Sequence, residues 1–186
     1  VHIVGAEGAV IDQGVPAGRL VAALHLVAGA DGATVEGLRV DCHAQVDAGV
    51  FASERRGGLP VDVVVRGNRF EGCVQGVTVA GRRTPDGVPD ALWWVEGNRF
   101  VGLSGAPLRG GQGGVLGVIA KDVALVDIVG NRFAGWADRT RGFASAEVAV
   151  VGCERCAVVE HHEGMVGGQH HAPVAVEGGE ELWLAP

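Results

Sequence analysis

The stretch Gly67-Asn68-Arg69-Phe70 returns as Gly97-Asn98-Arg99-Phe100 and again as Gly130-Asn131-Arg132-Phe133, at spacings of 30 and 33 residues. A looser copy, Gly37-Leu38-Arg39-Val40, lies 30 residues before the first. Another, His161-His162-Glu163-Gly164, begins 31 residues after the start of the last. Repetition at this period indicates a solenoid, in which each repeat buries its apolar face against its neighbours.

Each repeat holds short apolar runs separated by glycine. One repeat reads Gly49-Val50-Phe51-Ala52, then Asp62-Val63-Val64-Val65, then Asn68-Arg69-Phe70. Such runs are typical of short strands between turns, and 32 glycines and 7 prolines disfavour long helices. Three strands and three turns per repeat predict an all-β, right-handed parallel β-helix of about five to six coils. We expect it to form one domain over residues 1–186.

The repeat resembles that of the pectin-lyase-like superfamily, in which a strand is followed by an Asn-x-Phe turn and a second short strand. The resemblance is carried by the Asn-Arg-Phe copies and covers nearly the whole chain. It implies a parallel β-helix and a substrate groove along the first strand of each coil. The motif is specific for the fold and carries almost no information about activity.

Equivalent residues of successive coils should stack, because neighbouring strands are roughly 4.8 Å apart. We expect the motif asparagines to form an inward ladder and the motif phenylalanines to stack beside them, with glycine permitting the turn. The arginines should point outward, where like charges in register repel. A neighbouring column can offset this repulsion; it consists of Glu36, Arg66, Glu96, Val129 and Glu160.

Composition narrows the range of partners. The net charge of −7 gives no reason to expect nucleic acid, and the apolar stretch at residues 20–30 is too short to span a membrane and is interpreted as strand. The chain begins at Val1 inside a coil and ends inside another. We therefore interpret it as a fragment of a longer β-helix, extracellular or at the cell surface, of undetermined oligomeric state.

The pair Cys153 and Cys156, with the histidines that follow, has ligand types that zinc uses. The coil register argues against a zinc site, because it separates the cysteine turn from His161 and His162 by about 13–16 Å. We predict no metal and no cofactor. Cys42 and Cys73 occupy similar points of adjacent coils and should be close to each other.

The first strand of each coil supplies the candidate binding face. Its outward positions are mostly small or apolar, and they are His25/Val27, Phe51/Ser53, Thr78/Ala80, Ile119/Lys121, Ala149/Val151 and Ala175/Glu177. Longer loops flank this face in the middle coils, and such loops often mark the binding side of a solenoid. They and the strand ends carry arginines in a net acidic chain, which suits an acidic polysaccharide. The substrate-binding candidates are Arg55, Arg82, Arg83, Arg109 and Arg139.

Catalysis would require an acid pair or a base on this face. The nearest polar groups are Glu54, Lys121 and Asp122, and Glu54 and Lys121 are expected two coils apart, near ~10 Å. Two functions follow. In the first, we expect the chain to bind an acidic polysaccharide. If these three residues act together, it would also cleave or epimerise that polysaccharide as a lyase- or hydrolase-like enzyme. The alternative is a non-catalytic structural or adhesin-type β-helix segment.

Overall fold

A computed structural model describes residues 1–5, 9–12, 20–43, 46–103, 116–136, 145–160, 165–166 and 171–185. All helical or strand structure within these ranges is β-strand. Consecutive strands pass in turn to three different ladders, and each pairing between named strands is parallel. The predicted all-β, right-handed parallel β-helix is therefore confirmed.

The three ladders run along the solenoid. The first sheet consists of β3 (Leu20–His25), β6 (Val46–Ser53), β9 (Gln75–Ala80), β12 (Leu116–Lys121), β15 (Ser145–Glu154) and β18 (His171–Glu180). The second consists of β1 (His2–Val4), β4 (Thr34–Glu36), β7 (Val63–Arg66), β10 (Asp90–Glu96), β13 (Ala124–Val129), β16 (Ala157–Val159) and β19 (Trp183–Leu184). The third consists of β2 (Val10–Asp12), β5 (Arg39–Asp41), β8 (Arg69–Glu71), β11 (Arg99–Val101), β14 (Arg132–Trp136) and β17 (Met165–Val166).

The solenoid has about four turns. The prediction of five to six coils was slightly too high. The stretch at residues 20–30 contributes strand β3, as expected.

The asparagine ladder is present as predicted. Asn68, Asn98 and Asn131 are at most 1% exposed. The backbone N–H and the side-chain Nδ2 of Asn68 both donate to Oδ1 of Asn98, each at 3.0 Å. Asn98 repeats the arrangement with Oδ1 of Asn131, at 3.0 and 3.1 Å. Each Nδ2 also donates at 2.7–2.9 Å to a carbonyl of the preceding turn; the acceptors are Val35, Val65 and Val95.

The phenylalanine column lies beside the ladder. Ring centroids are 5.2 Å apart for Phe70 and Phe100, and 4.8 Å apart for Phe100 and Phe133, with near-parallel planes. Glycines of the first sheet face these rings. A Cβ added to Gly76 would lie 2.2 Å from Cε1 of Phe100, and one added to Gly117 would lie 2.2 Å from Cε1 of Phe133. The stacked rings therefore occupy space that any larger residue in the glycine column would need.

The last repeat is shifted by one residue from its expected register. Val129 pairs with Val159, and the N–H of Gly130 donates to the carbonyl of Val159 at 3.0 Å. Glu160 therefore lies beside Gly130 and takes a left-handed φ of 54°, close to the 60° of that glycine. The expectation that Glu160 extends the column after Val129 was wrong.

The arginines of the motif are in register with one another across β5, β8, β11 and β14. Their charges are offset differently from the expectation. Glu71, on the same sheet, bonds both Arg39 and Arg69, whereas Glu36 of the second sheet pairs with Arg66 at 2.9 Å. The predicted neighbouring column therefore balances its own arginine instead of the motif arginines.

Two disulfides cross-link the described part of the chain. Cys42 and Cys73 join adjacent turns, with their Cα atoms 4.8 Å apart, which confirms their predicted proximity. Cys153 and Cys156 join across the corner between the first and second sheets. All four sulfurs are thus engaged, and zinc would need thiolates. The side chains of His161, His162, His170 and His171 lie outside the described residues.

Candidate functional site

The register of the first sheet assembles the predicted face into two columns. One contains His25, Phe51, Thr78, Ile119, Ala149 and Ala175. The other contains Ser53, Ala80, Lys121, Val151 and Glu177. The His25 and Phe51 rings meet edge to face at a centroid distance of 5.3 Å. The expectation that these positions form an open face was wrong for its middle part, because Ser53, Thr78, Ile119 and Ala149 are buried. The charged members of the two columns, Lys121 and Glu177, are exposed.

The cations gather where three neighbouring strands end. Arg55 and Arg56 follow β6, Arg82 and Arg83 follow β9, and Lys121 is the last residue of β12. These strands are adjacent and parallel, so their ends share one edge of the first sheet. We call these five residues the cationic edge. All five are exposed.

Four members of the cationic edge, Arg55, Arg56, Arg82 and Lys121, form no ion pair in the described part of the chain. An arginine side chain without a carboxylate partner keeps its five donors for water or for a ligand. These four groups therefore present positive charge outward from a chain whose net charge is −7.

Arg83 differs from the other four, because it is held by the chain itself. Its Nη1 lies 3.2 Å from Oε1 of Glu154, and its Nη2 donates to the carbonyl of Gly152 at 2.9 Å. These partners lie about 70 residues further along the chain, at the end of β15. The Asp122 carboxylate lies in the same corner, since a Cβ added to Gly152 would lie 2.5 Å from its Oδ1. Arg83 thus connects two turns across the one that lies between them.

The three catalytic candidates do not meet as an acid–base group. The N–H of Glu54 donates to Ala80, and that of Gly81 donates to Lys121, which makes Glu54 and Asp122 equivalent positions two turns apart. Their backbones are therefore roughly 10 Å apart, with one complete turn between them. Lys121 has Ala80 and Val151 as its register neighbours. The described residues therefore do not bring Glu54 to Lys121 and Asp122, and the acid in the same corner as Asp122 is Glu154, which is paired with Arg83.

Two candidates fall elsewhere. Arg109 and Arg139, and most of the loops at residues 101–114 and 134–146, lie outside the described residues.

In the part of the chain that the structure describes, no three His, Cys, Asp or Glu side chains are placed to hold a metal ion. Within the same part, no helix is long and apolar enough to cross a membrane.

Sequence reasoning located the cations but missed the partners of Arg83. Glu154 and Gly152 are separated from it by two turns, and no periodic signal connects a loop arginine to a carboxylate 71 residues away. The repeat pattern predicts where the strands end, and it therefore also predicts the positions of the residues in the cationic edge.

Comparisons with protein-family models, with curated proteins and with solved structures find no match to this chain. Its architecture therefore rests on the repeat and on the strand pairing described above.

Proposed function

We propose that this protein is an extracellular, carbohydrate-binding β-helix that holds an acidic polysaccharide along the cationic edge of its first sheet. The observation that carries the proposal is the set of Arg55, Arg56, Arg82 and Lys121. They emerge from three adjacent strands and have no acidic partner in the described part of the chain. The resemblance of the repeat to the pectin-lyase-like superfamily supports the choice of a polysaccharide.

The spacing of the cations suits a linear polyanion. Successive strands bring Arg55, Arg82 and Lys121 to the same edge at a rise of about 4.8 Å per turn. A polymer lying along the solenoid axis would meet one positive group per turn. Arginine is well suited to this role because its planar fork binds a carboxylate through two hydrogen bonds. The location is supported by the two disulfides, which persist in oxidising compartments.

The proposed activity is binding without cleavage. A lyase or hydrolase needs a base or an acid pair near the bound sugar, and Glu54 lies two turns from Asp122. A purely structural or adhesin-type role is the second candidate. The burial of the middle of the predicted face favours it, since Thr78, Ile119 and Ala149 are only 5–8% exposed and offer few groups to a sugar.

A binding titration tests the proposal. Oligogalacturonate should bind, and a neutral glucan of the same length should bind less well. The affinity for oligogalacturonate should fall as salt rises, because the screening length is about 8 Å at physiological ionic strength. The double variant Arg55→Ala/Arg82→Ala should weaken binding about fivefold to tenfold, as two exposed charge pairs would.

Arg66→Ala is the matched control. It removes the same charge from the second sheet, where Arg66 is paired with Glu36, and it should leave the affinity within about twofold. Equal binding of both polymers, or binding of neither, would remove the acidic-polysaccharide proposal and leave the structural role.

A further inference from the structure

The third sheet carries a ladder of arginines on the surface of the solenoid. Arg39, Arg69, Arg99 and Arg132 pair in register on successive strands. Two residues further along each strand a second column runs beside it, and it contains Asp41, Glu71, Val101 and Ala134. The second column is acidic in its first two members and apolar in its last two.

The first two arginines show how this surface binds a carboxylate. Glu71 lies between them: its Oε2 accepts from Nε of Arg39 at 2.6 Å, and its Oε1 accepts from Nε of Arg69 at 2.6 Å. The Nη2 groups of both arginines also contact the same carboxylate. One carboxylate therefore bridges the arginine of its own strand and the arginine of the preceding turn.

The last two arginines have the same backbone register without the carboxylate. In the register of Glu71, the residue that would bridge Arg132 and Arg99 is Ala134. Arg99 and Arg132 are both exposed, and neither forms an ion pair in the described part of the chain. Ala134 has only a methyl group, so its side chain supplies no acceptor to either guanidinium group.

We propose that Arg99 and Arg132 form a second carboxylate site, which binds a uronate carboxylate in the bridging position that Glu71 occupies between Arg39 and Arg69. Two like charges in register repel, and an anion between them removes that repulsion while accepting charge-assisted hydrogen bonds from both forks. The chain supplies this anion for the first pair, and a ligand would supply it for the second. The source of the carboxylate, an acidic polysaccharide, rests on the proposed function; the site itself does not.

Titration of the full chain with oligogalacturonate, followed by the Nε–Hε resonances of its arginines, tests the site. The resonances of Arg99 and Arg132 should shift and saturate. Ala134→Glu should place a carboxylate between the two arginines and weaken uronate binding there about fivefold, the equivalent of about 1 kcal/mol. Ala134→Gln introduces a side chain of nearly the same size as glutamate but without its charge. The Arg99 and Arg132 resonances of this variant should therefore still shift.

Glu71→Gln provides a test in the opposite direction, and it keeps the proposal falsifiable if Ala134→Glu fails to fold. Removing the internal carboxylate should make Arg39 and Arg69 respond to oligogalacturonate, which they should not do in the parent protein. Equal responses of the Ala134→Glu and Ala134→Gln proteins, or no new response in Glu71→Gln, would overturn the bridging geometry.

The two sites are distinguished by which resonances move. Shifts at Arg99 and Arg132 without shifts at Arg55 and Arg82 would support the second site and overturn the cationic edge. Shifts at Arg55 and Arg82 alone would overturn the second site and leave the proposed function standing. No shift at any of the four would overturn both. Stronger binding of poly-glutamate at equal carboxylate concentration would overturn the assignment of the second site to a polysaccharide.

Discussion

Substitution of Asn98 by alanine should produce a large loss of stability. Its side chain takes part in four hydrogen bonds: Oδ1 accepts two from Asn68, and Nδ2 donates to Val65 and to Asn131. At a net value of about 1 kcal/mol for each bond, the change should lower the free energy of unfolding by about 4 kcal/mol. The most costly single loss is that of the acceptor for the Asn68 N–H, which is left buried.

The comparison with Asn68→Ala sharpens this prediction. Leu38 occupies the ladder position of the preceding turn and offers only its backbone N–H, so the side chain of Asn68 takes part in three bonds. Its replacement should therefore cost about 1 kcal/mol less than that of Asn98.

Equilibrium unfolding in urea, followed by tryptophan fluorescence and by circular dichroism, measures both losses. Arg99→Ala is a control from the same motif, because its side chain is exposed, and it should change the unfolding free energy by less than about 0.5 kcal/mol. A midpoint for Asn98→Ala equal to that of the parent, with an unchanged slope, would refute the energetic role assigned to the ladder.

Further predictions concern glycine, cysteine and pH. Gly76→Ala should destabilise the protein by about 3 kcal/mol or more, because its Cβ would overlap Phe100. Gly97→Ala faces open space at φ 61° and should cost about 1–2 kcal/mol. The urea midpoints of the two variants should differ accordingly, and equal midpoints would argue against the ring contact. Removing the Cys42–Cys73 disulfide, which spans 31 residues, should cost about 4 kcal/mol of stability. Removing the Cys153–Cys156 disulfide, which spans 3 residues, should cost about 2 kcal/mol. If thermal melts of the double-alanine variants showed the larger loss for Cys153–Cys156, they would contradict the loop-entropy argument. Partial burial raises the pKa of Glu71, but hydrogen bonds and charge from Arg69 and Arg39 outweigh it, so the pKa lies below its ordinary value of 4.5. The stabilisation is then complete above about pH 4.5 and is lost as the pH falls through the lower folded-state pKa. The difference in unfolding free energy between the parent and Glu71→Gln should shrink on acidification, and a difference that grows would reverse the sign.

The fold could be predicted because the repeat marks the same place in successive turns. Asn98 and Phe100 are each identical to their neighbours above and below, so the period alone fixes which residues stack. The prediction went wrong at Glu160, where no glycine or asparagine marks the corner. A repeat of 30 or 31 residues then fits the sequence equally well, and the backbone pairing of Val159 with Val129 decides between them.

The candidate site was less predictable, because charge pairing across turns depends on the paths of loops. The position of Arg82 at a strand end follows from the repeat, but the contact of Arg83 with Glu154 requires its loop to reach over a complete turn. The same limit applies to Glu71. The repeat places Glu71 two residues after Arg69, yet its contacts with Arg39 and Arg69 depend on side-chain geometry that spacing does not specify.

The ladder has a consequence for how such a chain can change its length. Asn98 accepts the same two hydrogen bonds from Asn68 that Asn131 accepts from Asn98. The rings of Phe70, Phe100 and Phe133 also stack at nearly equal distances. A duplicated copy of residues 67–96 would bring its own glycine, asparagine and phenylalanine, and would present to both neighbours the surfaces they already contact. The solenoid can therefore grow by one turn, about 4.8 Å, without redesign of any existing contact in the ladder.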